Sequence, residues 1–405
     1  MLKAVTSRRS ATLAALIAVL CAGAGAAQSS VVPQAPAPVA PQADGSAFAA
    51  DGMWIWYVAR AAGGDPTRIA ARARAHGMRT VYIKAGDGTK TWSQFTPSLV
   101  AALKRRGLDV CAWHFVYGAD PMGEAEVSAE AVRRGADCLV IDAESHYEGR
   151  YAQASAYIAK LRRSVGADYP LGLASFPYVH YHPGFPYSVF LGPGAAEFNL
   201  PQIYWRAIGT SVDKAIATTY IYNRVYERPI DPLGQLYMDP RGREILRFRK
   251  LARASGFGGV SWWSWQHASA RGWRAAGRRR LGTTPGYAPA RTYPELARGA
   301  AGDLVVWAQL HLISGGYLES QATGRYASLT ERAVGKFQLA AGLPPSGVTD
   351  AATWQQLLAR LDPAAVTWSA RRFAGRAGAD STTMAVPQSA HLSARANELR
   401  RGRDG

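Results

Sequence analysis

Long apolar runs are scarce in this sequence. Residues 11–20 form one, but a membrane span needs about 20 residues, and no later stretch is long and apolar enough. Cysteine is scarce too. Three in 405 residues exclude a disulfide scaffold, and no Cys/His cluster has zinc-finger spacing, so neither a metal nor a cofactor is expected. Acidic side chains are outnumbered, 29 Asp plus Glu against 47 Lys plus Arg, for a net charge of +18. That excess favours polyanionic surroundings: nucleic acid, an anionic membrane or an anionic cell wall. With 48% hydrophobic and 19% charged residues, most of the chain can bury a core. Its length suggests two or three domains at ~100–200 residues each.

The first residues choose among the polyanions. Lys3, Arg8 and Arg9 form a positive n-region, Ala11–Leu20 an apolar h-region, and Ala24-Gly25-Ala26 a small-residue cleavage site near Ala26 or Ala27. This reads as an export signal over residues 1–27. Leu20 before Cys21 lacks the small residue of a lipoprotein signal. An exported basic protein meets cell wall before nucleic acid. The expectation is therefore a secreted monomer in the cell wall or periplasm, with no nucleic-acid partner and no stable membrane insertion after cleavage. Cys111 and Cys138 remain. They fall in neighbouring strand-like runs and read as two buried thiols, with a disulfide as the alternative.

Composition then divides the chain. Residues 28–50 are a Pro/Ala-rich linker without a core. A large domain spans 51–276, a basic connector 277–291, a small helical module 292–361, and a basic, low-hydrophobicity tail 362–405. Within the large domain, strand-like runs lie near residues 53–58, 80–85, 109–117, 137–144, 171–176, 200–205, 232–237 and 259–265. Helical patterns separate most of them. Near-continuous apolar strands alternating with helices imply a parallel sheet covered on both faces. Eight such units imply an α/β fold, the (β/α)8 TIM barrel. The fifth connection, residues 177–198, lacks a clean helix and is rich in Tyr, His, Pro and Gly, as suits a substrate-shaping loop.

Barrel chemistry sits at the C-terminal strand ends. The fourth run ends Asp142-Ala143-Glu144, and residues i and i+2 of a strand share a face. Two adjacent carboxylates repel, so one keeps a proton to higher pH, as a general acid requires. A helix cap or a surface pair is the bland alternative. Other strand ends carry groups that suit a sugar: Lys84, Trp113, His114, Gln202, Tyr204, Trp205, Gln235, Tyr237, Trp263 and Trp265. Aromatic faces stack on pyranose C–H surfaces, and amides and phenols bond hydroxyls. Lys84 equally fits a structural counter-ion and His114 a satisfied core histidine. Alternation sends Trp263 and Trp265 to one face and Trp262 to the other.

The barrel and its Asp142-Ala143-Glu144 strand end resemble glycoside hydrolase family 25, the peptidoglycan-cutting muramidases. Gln202-x-Tyr204 and Gly258-Gly259-Val260-Ser261-Trp262-Trp263 look like family 18 chitinases. The resemblance implies that Glu144 is the acid, Asp142 the partner of the substrate's acetamido group, and Tyr204 a hydrogen-bond donor to that group. The sequence departs from both patterns. Gly52–Trp56 holds no strand-one Asp, and Cys138 and Val140 stand where family 18 has Asp.

The small module is the more specific match. Gly302–Leu310 opens it, Ser328–Gln338 (SLTERAVGKFQ) forms its middle, and Thr353–Leu357 closes it. It resembles a peptidoglycan-binding domain of the three-helix type. Ser328 and Glu331 have capping-box spacing. Val334, Phe337, Gln338 and Ala341 share one helical face, and Trp354, Leu357, Leu358 and Leu361 another. Tyr317, Tyr326 and Gln338 are candidate ligand contacts. The sequence thus points to a peptidoglycan-binding protein that hydrolyses an N-acetylated glycan. The rival is a non-catalytic wall binder with a degenerate barrel.

Overall fold

The computed structural model describes residues 46–290, 292–366 and 368, all within one compact unit. The expected export signal, most of the linker, and the tail beyond Trp368 lie outside these residues. Nine strands form: β1 (Gly52–Ile55), β2 (Thr80–Asp87), β3 (Lys90–Thr91), β4 (Asp109–Val116), β5 (Cys138–Ala143), β6 (Leu171–Ser175), β7 (Phe198–Ile203), β8 (Leu233–Gln235) and β9 (Ser261–Trp263). Their order is β1-β9-β8-β7-β6-β5-β4-β2, and β1 pairs again with β2 to close an eight-stranded parallel barrel. The exception is β3, a two-residue antiparallel arm on Gly86–Asp87. Both its residues are exposed, so no apolar pattern announces it.

The sequence sets the helix starts in a repeated way. Asp65, Thr96 and Asp120 each cap a helix (Pro66–Ala75, Pro97–Lys104, Pro121–Arg133) by accepting a backbone N–H, and each is followed by Pro. Pro costs nothing at the first helical position, where its missing N–H would have no partner in any case. The fifth connection has only a short 3-10 turn, Val179–Tyr181, and a four-residue helix, Tyr187–Phe190.

Alternation along the strands divides the core. Trp54, Tyr82, Cys111, Trp113, Cys138, Val140, Leu200, Leu233 and Trp263 fill the barrel. Met53, Val81, Ile83, Val110, Leu139 and Ile141 face the helices. The floor is closed by Ala47 and Phe48, which the sequence places in a coreless linker. Phe48 is fully buried, its ring 4.5 Å from that of Phe198. Gly172 makes room for it, since a Cβ there would lie 3.0 Å from the Phe48 ring. The barrel domain thus begins before Asp51.

Cys111 and Cys138 are direct partners in the β4–β5 register, with Cα atoms 4.6 Å apart, and form a disulfide rather than two thiols. Both are fully buried inside the barrel. A crosslink closing a loop of this length stabilises a fold by about 2–4 kcal/mol, mainly by restricting the unfolded chain. Guanidinium unfolding with and without reductant should differ by that amount. Thiol titration of the unfolded, unreduced chain should find nothing reactive at positions 111 and 138.

The C-terminal module has three helices: Asp303–Ser314, Ser328–Ala340 and Ala351–Arg360. The expected capping box is not formed. The second helix has Ala327 at its cap without a side-chain hydrogen bond, and Glu331 instead faces Arg298 at 3.5 Å. The module does not hang from its connector. Trp307 donates Nε1–H to the Val225 carbonyl (2.6 Å), its ring lies 5.3 Å from Tyr226, and module and barrel share one continuous apolar core.

Candidate active site

The C-terminal mouth of the barrel holds the carboxylate pair. Asp142, next to last in β5, shares a register level with Phe115 of β4 and Ala174 of β6. Glu144 follows the strand. From β7, Gln202 donates its Nε2–H2 to both, 3.1 Å to Asp142 Oδ1 and 3.1 Å to Glu144 Oε1. The two oxygens therefore lie within about 6 Å of each other, the geometric limit set by a shared donor of ordinary hydrogen-bond reach. Among the described residues neither carboxylate forms an ion pair. Burial, and the charge of Glu144 beside it, push the Asp142 carboxyl well up, with Lys84 pulling partly back. Burial also raises Glu144, opposed by the Gln202 hydrogen bond and the charge of His182. The two groups titrate as a pair, so the repulsion belongs to both, and the pair keeps a proton to higher pH than a lone carboxyl would.

Aromatic rings surround the pair. Tyr204 is buried beside it, its hydroxyl held neutral by burial and by the nearby charges of Asp142 and Glu144. Tyr237 packs edge-on against Tyr204 at 5.2 Å. Trp113 and Trp263 meet edge-on at 5.4 Å, and Trp56 lies 5.7 Å from Trp263. The Trp263–Ser264 peptide is cis. Lys84 is buried among three indole faces, those of Trp92 (4.5 Å), Trp113 (4.9 Å) and Trp56 (5.2 Å), and bonds Asp87 at 2.7 Å. Tyr117 donates to the other Asp87 oxygen at 2.8 Å. Lys84 is thus a caged counter-ion beneath the mouth. Asp87, Trp92 and Tyr117 continue into a side cavity of about 560 Å³.

Some candidates stand elsewhere. His114 points to the helix layer, where it contacts Ser128 Oγ (2.7 Å) and the Gly88 carbonyl (2.8 Å); burial depresses its pKa to about 4. It is a satisfied core histidine. Trp205 opens a short helix and stacks on Phe248 at 5.2 Å outside the barrel. Trp265 follows β9 in a 3-10 turn and packs on Trp273 at 4.8 Å. Strand alternation ends at Trp263, so Trp265 does not share its face. Gln235 spends its amide on the Arg206 N–H and the Tyr237 carbonyl. In the module, Gln338 is fully buried and bonds Gly347, Val348 and Thr353, while Tyr326 donates its hydroxyl to the Gly347 carbonyl. Both build the module rather than a ligand surface. Tyr317 is half-buried, edge-on to Phe337 at 5.3 Å.

Sequence reasoning missed Trp56, Trp92, Phe115, His146 and His182. Trp56 and Phe115 sit at or just past strand ends on the inward face, and Trp92 follows β3 with its ring toward Lys84. Phe115, Tyr117 and His146 form one cluster, with rings 4.8–6.0 Å apart. Parity from Trp113 would have selected Phe115 and rejected His114.

Among the described residues no helix is long and apolar enough to cross a membrane, and no group of three or more His, Cys, Asp or Glu could hold a metal ion. No curated protein matches the chain in sequence. Similar solved structures include the Bacillus cereus spore cortex-lytic enzyme SleL (11% identity, TM-score 0.43, covering 56% of this chain and 73% of that one). A Chromobacterium violaceum chitinase aligns at 12% identity and TM-score 0.41, over 57% of this chain and 99% of that one. A family 25 glycosyl hydrolase from Bacillus anthracis aligns at 15% identity and TM-score 0.28, over 37% and 69%. Residues 301–357 match the family model described as "Putative peptidoglycan binding domain", and the chain therefore carries a peptidoglycan-binding domain behind a closed (β/α)8 barrel.

Proposed function

We propose that this chain is an exported, peptidoglycan-directed glycoside hydrolase with Glu144 as its general acid. The observation that carries the reading is the Asp142–Gln202–Glu144 arrangement. Two carboxyls at the catalytic end of a barrel, Asp142 buried and Glu144 half-buried, share the Gln202 donor, lie beside Tyr204, and form no ion pair among the described residues. A scaffold would neutralise such a pair with an internal salt bridge, as Lys84 neutralises Asp87. The buried disulfide supports export, because such bonds persist in oxidising compartments.

In this reading an N-acetylated sugar lies over Trp263 and Trp56 with its acetamido group toward Asp142 and Tyr204. Glu144 gives its proton to the glycosidic oxygen as the C1–O bond breaks. The acetamido oxygen bonds to C1, and Asp142, ionised and hydrogen-bonded by Gln202, stabilises the charge on the acetamido nitrogen. Water then attacks C1 as the bond between C1 and the acetamido oxygen breaks, which restores the acetamido group, and the water's proton passes to Glu144. Tyr317 remains a candidate contact of the module with the wall.

The test is release of soluble fragments from purified peptidoglycan, with analysis of the new reducing ends. Release with a new reducing sugar supports hydrolysis. Tight pelleting with the wall and no release, on peptidoglycan or a chitin-type glycan, would replace this reading with a non-catalytic wall binder.

A further inference from the structure

The module's contact with the barrel is made where it bears on the site. Asp303, the first residue of the module's first helix, is completely buried, and all its side-chain partners come from the barrel domain. Its Oδ1 accepts from Tyr151 Oη (2.9 Å) and Ser188 Oγ (2.6 Å). Its Oδ2 accepts from the Ser188 N–H (2.8 Å) and Tyr226 Oη (2.8 Å). Its own N–H donates to the Pro183 carbonyl at 2.8 Å. A buried carboxylate is tolerated only when donors replace its lost hydration, and here four do so without a cation. Gly302 lets the chains approach. Its φ is +115°, and a Cβ there would fall 2.6 Å from Pro183 Cβ, so both conformation and space demand glycine.

Pro183 and Ser188 delimit the part of the fifth connection next to His182. The His182 ring stacks on Phe176, just past β6, at 3.4 Å, and its Nδ1 meets Glu148 Oε1 at 2.8 Å. Tyr187 donates to the Phe176 carbonyl at 3.0 Å, and Gly149 N–H to the Gly184 carbonyl at 2.8 Å. Glu148 closes the turn that leaves Glu144: the Tyr147 N–H donates to the Glu144 carbonyl (2.9 Å) and the Glu148 N–H to the Ser145 carbonyl (3.1 Å).

We propose that Asp303 is a positioning residue for the barrel's mouth: through it the peptidoglycan-binding module clamps Pro183 and Ser188 and holds His182 on Glu148, in the turn that leaves Glu144. The module is then a structural part of the hydrolytic face as well as a wall anchor. The catalytic consequence rests on the hydrolase reading above; the clamp does not.

The experiment uses the full chain and compares wild type with Asp303→Ala, Asp303→Asn and His182→Ala. Amide hydrogen exchange reports the clamp. Exchange over residues 184–190 should rise about tenfold or more in Asp303→Ala, as a locally opened segment does. Carbon NMR of the Glu144 carboxyl, assigned by its loss in Glu144→Gln, reports the mouth. Its midpoint should move in Asp303→Ala, and in the same direction as in His182→Ala, because both variants release the turn that leaves Glu144. Peptidoglycan pelleting should stay within about threefold, and on a short soluble N-acetylated oligosaccharide kcat should fall more than KM rises. Unchanged exchange and an unchanged Glu144 midpoint in Asp303→Ala overturn the proposal. Should Asp303→Ala not fold, Asp303→Asn carries the test: smaller shifts of the same sign support the clamp, and wild-type behaviour in both readouts sinks it. A wild type that cuts no glycan yet shows both shifts keeps the clamp and removes the hydrolase.

Discussion

Glu144→Gln should lower turnover on peptidoglycan by about 10²- to 10⁴-fold, the usual contribution of a positioned general acid. The amide is isosteric and keeps an oxygen to accept from Gln202, so the mouth should keep its shape. What is lost is the proton that must reach the leaving oxygen. KM and wall pelleting should change little, because the module's helices and the aromatic lining are untouched. Melting temperature should hold or rise slightly, since one of two mutually repelling carboxyls has gone. Steady-state release of reducing ends, run beside pelleting, separates the outcomes. A variant as active as wild type would remove Glu144 from the chemistry, and loss of pelleting would mean the substitution acted on structure.

The place of Glu144 at the barrel mouth was legible in the sequence because a parallel barrel fixes where a strand's last inward residues point. Eight apolar runs gave the barrel, and the run ending at Glu144 supplied two carboxyls with the spacing of a shared face. The same rule misled where the strand stopped. Trp205 and Trp265 lie past the last residues of β7 and β9, in helical turns that rotate them to the outer layer. Within β4, Trp113 inward requires His114 outward. Other features depend on contacts between distant segments, which no local pattern encodes. Phe48 reads as part of a linker until Gly172 and Phe198 receive it. Asp303 reads as an ordinary helix-start acid until Tyr151, Ser188 and Tyr226 surround it. Gln338 and Tyr326 look like ligand groups because buried polar side chains that tie a small module together are the same residue types that bind sugars.

Asp142→Asn should abolish most of the remaining rate advantage and also move the pH profile, with a sign that follows from the pair. In the wild type the last proton leaves against both burial and a neighbouring anion, so the alkaline limb of kcat/KM should lie above the ordinary carboxylate range. With asparagine at 142 the second anion never forms. Glu144 then titrates alone, raised by burial but not by repulsion, and the alkaline limb should shift toward lower pH. The rate at the optimum should fall by about 10²-fold or more, because a neutral amide cannot stabilise the positive charge that develops on the acetamido nitrogen. The two effects are separable. A limb that stays in place while the rate falls would show that Asp142 acts on the substrate without sharing the proton. A limb that moves while the rate holds would reduce Asp142 to a tuner of Glu144. Movement of both identifies the pair as one acid with two carboxyls, and Gln202, bonded to each at the same distance, as the group that keeps them together.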